Sequence, residues 1–163
     1  LKESNIEYCW MDFSINKYLD AGMLWHKHEM VKFIYDCFQT YRPNGVGLIL
    51  SLKYESMKAS QRQYAKLIEN PLVADCLIGI DLVGDESYFD VDFYTPIFKE
   101  WNSINKITRC HVGESQSVDN VYNAIQKLHV TNIAHGFKIL KYPHFMLLAK
   151  ERQITFDMAI TSN

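Results

Sequence analysis

Residues 46–52 read VGLILSL, an apolar run with a single hydroxyl in it. A strand without polar alternation is the kind buried on both faces of a parallel sheet, where helices cover each side. The run follows Arg42-Pro43-Asn44-Gly45, a strong breaker. Before that breaker, from His28 to Tyr41, Met30, Ile34, Cys37, Phe38 and Tyr41 recur at helical spacing. Downstream, residues 60–69 read as a helix closed by Asn70-Pro71, and LIGIDL (77–82) reads as a second buried strand. The unit then repeats. Tyr94, Ile97, Phe98 and Trp101 share a helical face, ITRCHV (107–112) is a strand, and Ser117 caps a helix whose buried stripe is expected to be Val118, Val121, Tyr122, Ile125 and Leu128. Asn132 to His135 is a short strand, Pro143 to Lys150 a helix, and ITFDM (154–158) a last strand. IEYCWMDFSI (6–15) supplies an earlier one. Six strands alternating with five helices predict an α/β fold with a parallel sheet and right-handed crossovers. An open doubly wound sheet and a (βα)₈ barrel both satisfy this pattern. Six units are too few to close an eight-stranded barrel, so the barrel reading leaves one unit missing at each end.

Composition narrows the class. The chain has 163 residues, 48% of them hydrophobic, which suits one globular domain and excludes a disordered chain. Lys plus Arg number 17 against 19 Asp plus Glu, for a net charge of −2. That balance, with no basic block, gives no electrostatic footprint for duplex nucleic acid. No apolar run reaches the roughly 18–20 residues of a membrane-spanning helix. The opening Leu-Lys-Glu-Ser is not a basic start leading into an apolar stretch, so no secretory signal is expected. Cys9, Cys37, Cys76 and Cys110 are far apart and mostly sit among apolar neighbours. They read as reduced core thiols of a cytoplasmic protein.

Polar residues gather at the carboxyl ends of the last four strands. They are Asp81 with Gly84-Asp85-Glu86, His111 with Glu114, His135-Gly136, and Asp157 with Ser162-Asn163. In parallel α/β proteins that edge carries the active site. His111 ends an apolar strand, and Gly113 lets the chain turn so that Glu114 reaches back into the same pocket. A strand-end imidazole suits a divalent metal, and a carboxylate beside it suits proton transfer.

The segments GIDLVGDE (79–86), HVGES (111–115), NIAHGFKI (132–139) and FDMAITSN (156–163) resemble, in order and spacing, those of the adenosine deaminase family. The family pattern runs G-x-D-L-x-G-x-E, H-A-G-E, R-I-G-H-G and E-x-C-P-x-S-N. Four ordered motifs on four successive strands are specific where any one alone is weak. The resemblance implies a (βα)₈ TIM-type barrel of which this chain supplies about strands two to seven. It implies a zinc-dependent hydrolase that deaminates adenine nucleosides or nucleotides at purine C6. Carried over by position, His111 matches a zinc ligand and Glu114 the acid that protonates ring N1. His135 matches the histidine that orients the attacking hydroxide. Gly84 matches a backbone contact to the purine, and Asp81 is grouped with it as substrate-binding. Zinc would lower the pKa of a bound water to near ~7.

The chain departs from the family pattern at several points. The H-x-H ligands of the first strand and the Asp ligand of the eighth have no counterpart, so residues 1–163 read as the middle of one barrel with three of four zinc ligands outside it. Val112 replaces Ala, Asn132 and Ala134 replace Arg and Gly, and Asp157-Met158-Ala159-Ile160 replaces E-x-C-P. His26-Lys27-His28 does not end an apolar strand, and i and i+2 do not share a helix face, so it reads as a solvated helix start. His129 and His144 read as surface residues. The expected partners are a purine substrate and the remainder of the chain, with a homo-oligomer or larger assembly open. Two other classes fit the same residues: a scaffold module that has lost turnover, and another amidohydrolase. An isolated fragment would be inactive.

Overall fold

The six apolar runs form six strands in the computed structural model, which describes residues 7–14, 27–159 and 161. They are β1 (Cys9–Phe13), β2 (Val46–Lys53), β3 (Leu77–Val83), β4 (Ile107–Val112), β5 (Asn132–His135) and β6 (Thr155–Asp157). The helices are α1 (Lys27–Tyr41), α2 (Lys58–Ala65), α3 (Pro71–Cys76), α4 (Val91–Ser103), α5 (Val118–Asn123) and α6 (Pro143–Glu151). The strands hydrogen-bond in chain order, β1-β2-β3-β4-β5-β6. The pairs β1 with β2, β4 with β5 and β5 with β6 are parallel. A doubly wound sheet reverses its strand order at a switch point; this order does not reverse, as in the wall of a (βα)₈ barrel.

The chain divides into two compact units, one of residues 1–52 and 56–80, the other of residues 53–55 and 81–163. In the first, β1 runs parallel to β2 from Cys9 against Val46 to Phe13 against Leu50. β2 is buried from Val46 to Leu52, as its unbroken apolar run requires. A Cβ at Gly47 would lie 2.4 Å from Ile78 Cδ1 and 2.6 Å from the Tyr8 hydroxyl, so glycine lets these two side chains close over the strand. Met30 and Ile34 of α1 are buried, and Phe33 meets Phe13 edge-on at 6.4 Å.

The second unit is built around α4 and α5. Asp90 caps α4 by accepting from the Phe93 N–H at 3.1 Å, and Phe93, Tyr94, Ile97, Phe98 and Trp101 form its buried stripe. Ser117 caps α5, as its position ahead of the apolar stripe predicted, by accepting from the Asp119 N–H. Val118, Val121, Ala124, Ile125 and Leu128 are buried in α5 and the turn that continues it, whereas Tyr122, expected in that stripe, is exposed and lies against Phe145, Ala124 taking its place in the core. At the amino ends of β4 and β5, Thr108 and Thr131 exchange hydrogen bonds, which ties the two strands at that end.

Local details differ from the sequence reading. Asn70-Pro71 closes the turn after α2 and also opens α3: Asn70 accepts from the Leu72 N–H at 3.0 Å, and Pro71 occupies the first turn, where its missing N–H costs nothing. The reading of 154–158 as strand narrows to the three residues that pair with β5. Ile6, Ile15, Trp25, His26, Ser162 and Asn163 lie outside the described residues. Among the described residues, no helix is long and apolar enough to cross a membrane.

Candidate active site

β4 alternates cleanly. Thr108, Cys110 and Val112 are buried, while Ile107, Arg109 and His111 lie on the opposite, partly open face. His111 stands at the carboxyl end of that face. Its carbonyl accepts the Tyr54 hydroxyl at 2.7 Å, and the same hydroxyl lies 3.2 Å from Cys110 Sγ. Tyr54 is held edge-on against Phe89 and Tyr94. Burial raises the Tyr54 hydroxyl and the Cys110 thiol well above their usual pKa, so both stay neutral.

Asp81 of β3 is fully buried. Its Oδ2 lies 3.1 Å from His111 Nε2 and 3.4 Å from Arg109 Nε, and Arg109 Nε lies 3.3 Å from Asp157 Oδ2 of β6. The second oxygen of Asp81 is buried without a hydrogen-bond partner among the described residues.

His135 reaches this cluster by a distortion. β5 registers His111 against Ala134 and Val112 against His135. Regular alternation would therefore send His135 to the face of Val112, away from His111. Instead His135 has φ +67°, a left-handed conformation rare outside glycine. Its ring lies 5.3 Å from that of His111 at 64°, and its Nε2 lies 3.4 Å from Glu114 Oε2. Strain of this kind concentrates at functional sites.

Glu114 sits on a loop fixed by Glu86. The buried Glu86 carboxylate accepts the N–H of Gly113 at 2.7 Å, Glu114 at 3.2 Å, Ser115 at 3.1 Å and Gln116 at 3.1 Å. The Asn120 side-chain amide donates to it at 3.1 Å. Gly113 has φ +71°, and a Cβ there would meet Val121 at 2.5 Å. Glu114 itself is half exposed and turned toward His135 rather than capping α5.

Four of the residues expected at the site, Asp81, His111, Glu114 and His135, thus form one chain of contacts. Gly84 lies exposed after β3 with φ +103°, and a Cβ built there would meet the Glu55 carboxylate, which also accepts the Asp85 N–H. His129 and His144 are exposed, and His26 is not described. Arg109, Tyr54 and the role of Glu86 escaped the sequence reading. Arg109 and Glu86 each left a signal: Arg109 lies two residues before His111 and so shares its face, and Glu86 closes the G-x-D-L-x-G-x-E motif.

As a metal site the cluster is partial. An imidazole nitrogen beside a buried carboxylate with an unpartnered oxygen suits a divalent cation. Among the described residues, no group of three or more His, Cys, Asp or Glu is arranged to hold one.

Comparison with known proteins supplies a context for this geometry. Residues 6–163 match the family model described as adenosine deaminase. The adenosine deaminase of Pseudoalteromonas translucida is 28% identical over 122 residues, covering 75% of this chain and 35% of that enzyme. Two solved structures share the fold. An amidohydrolase from Burkholderia ambifaria with bound Zn has a TM-score of 0.79 at 19% identity, covering 94% of this chain and 43% of that one. An adenine deaminase from Arthrobacter aurescens has a TM-score of 0.74 at 16% identity, covering 96% and 47%. The chain thus spans about a third of the length of the curated relative and under half of each solved neighbour.

Proposed function

We propose that this chain, which belongs to the adenosine deaminase family, is the central part of a hydrolase that removes the C6 amino group of an adenine nucleoside or nucleotide. The convergence of His111, His135 and Glu114 carries the reading. Two imidazoles and a carboxylate at one strand edge serve no evident packing purpose, and the left-handed His135 is a cost that a scaffold has no need to keep.

The remaining barrel strands, and three further zinc ligands, would come from the rest of the protein. His111 would supply an imidazole nitrogen to the metal, and Asp81, enclosed behind it, would fix the ring's orientation through Nε2. When bound, the metal would lower the pKa of a water at the site. His135 would orient the attacking water toward C6. Glu114, as the carboxylic acid, would hand a proton to ring N1, which absorbs the negative charge that addition at C6 leaves on the ring, and the C6 nitrogen would then depart as ammonia. Its carboxylate is half exposed and 3.4 Å from His135, so it can face a substrate while keeping a partner for the proton. The exposed peptide of Gly84 would meet the purine edge. A positioned acid typically contributes about 10²–10⁴-fold in rate.

In the full-length protein, Glu114→Gln should abolish deamination with zinc content unchanged, because glutamine keeps the shape and cannot deliver the proton. His111→Ala should lose zinc as well as activity. Near-full activity in Glu114→Gln would remove Glu114 from the mechanism, and normal zinc content in His111→Ala would remove His111 from the ligand set.

A further inference from the structure

We propose that Arg109 is a positioning residue that fixes Asp81 behind His111, and that it replaces, from the neighbouring strand, the arginine which the family motif carries at the position of Asn132. The inference rests on the reading of His111 as the metal-side imidazole.

Asp81 is wholly buried, and a buried carboxylate needs a cation or several donors to remain there. Its Oδ2 has Arg109 Nε at 3.4 Å and His111 Nε2 at 3.1 Å. Arg109 Nε lies 3.3 Å from Asp157 Oδ2, so one guanidinium spans carboxylates from β3 and β6 while its own backbone is in β4. On the intervening β5 its Cα partner is Asn132, which stands where R-I-G-H-G has its Arg.

The register links the two strands. Arg109 is the Cα partner of Asn132, and parallel partners present their side chains on the same face. An arginine at 132 would therefore start one strand away, in the same row and on the same side. Asn132 is buried and neutral, so it offers no charge to the two carboxylates.

Transposing the pair tests this. The variants are Arg109→Asn, Asn132→Arg and the two combined, made in the full-length protein and read by thermal unfolding and by zinc affinity in competition with a chelator. Arg109→Asn should lower the unfolding midpoint by about 5 °C and weaken zinc binding about 10–100-fold, the range for residues that orient a ligand. Asn132→Arg alone should improve neither. The double variant should recover more than half of both losses. Should Arg109→Asn fail to fold, Arg109→Lys, which keeps the charge without the planar fork, should fold and bind zinc less tightly than wild type. Losses in the double variant that are additive or worse would overturn the proposal, as would an Arg109→Asn protein, or failing that an Arg109→Lys protein, with unchanged midpoint and zinc affinity. A wild type that binds no zinc would overturn the proposed function instead, leaving the midpoints of the transposed pair to decide whether Arg109 is exchangeable with position 132.

Discussion

Replacing Glu86 by Gln should loosen the loop that carries Glu114. One oxygen of Glu86 accepts from the Gly113 N–H and the Asn120 amide; the other accepts from the N–H groups of Glu114, Ser115 and Gln116. Glutamine must place its NH₂ at one of these positions, so at least two donors then face a donor. A hydrogen bond to a charged acceptor contributes about 1.5–3 kcal/mol. Residues 114–116 are exposed and regain water, whereas Gly113 is buried. The expected net destabilisation is about 2–4 kcal/mol, with the amide orientation that spares Gly113 preferred. Denaturant unfolding of the full-length protein measures the loss, and hydrogen exchange at residues 113–116 locates it. Deamination should fall with the same substitution, because Glu114 loses its fixed distance to His135. A destabilisation below about 0.5 kcal/mol, with unchanged exchange at all four amides, would refute the claim that this carboxylate organises the loop.

The strained His135 gives a second test. His135→Ala and His135→Gly should both lose activity, but the glycine variant should be the more stable by about 1 kcal/mol, since only glycine adopts φ +67° freely; a more stable alanine variant would contradict the strain. The cysteines give a third. Cys110 is enclosed and burial raises its thiol far above the usual range, so at pH 8 almost none is thiolate. Iodoacetamide on the native protein should therefore modify the half-buried Cys9 and Cys37 before Cys110. Peptide mass mapping checks the order, and equal modification of Cys110 and Cys9 would contradict it.

Much of the fold is legible locally because burial is written as runs and periods. β4 and β5 begin and end where the apolar runs do, and β2 and β3 extend one residue further, into Lys53 and Val83. The helical stripe Tyr94, Ile97, Phe98 and Trp101 is buried as its spacing requires. What escaped depends on partners distant in the chain. Glu86 closes a motif, but nothing local says that Gly113–Gln116 will fold over its carboxylate, and Tyr54 gives no hint that it will hold the carbonyl of His111. Position 135 shows the limit from another side. Strict alternation points its ring the wrong way, and the left-handed backbone that corrects this has no signature in a histidine.

Hydrolytic deamination of an adenine compound is visible in its products. The direct measurement is to incubate the full-length, zinc-loaded protein with adenosine, 2′-deoxyadenosine and AMP in turn, following release of ammonia and formation of the hypoxanthine product. At least one of the three should be converted, and conversion should vanish in Glu114→Gln. No conversion of any of them by the zinc-loaded wild type would contradict the account.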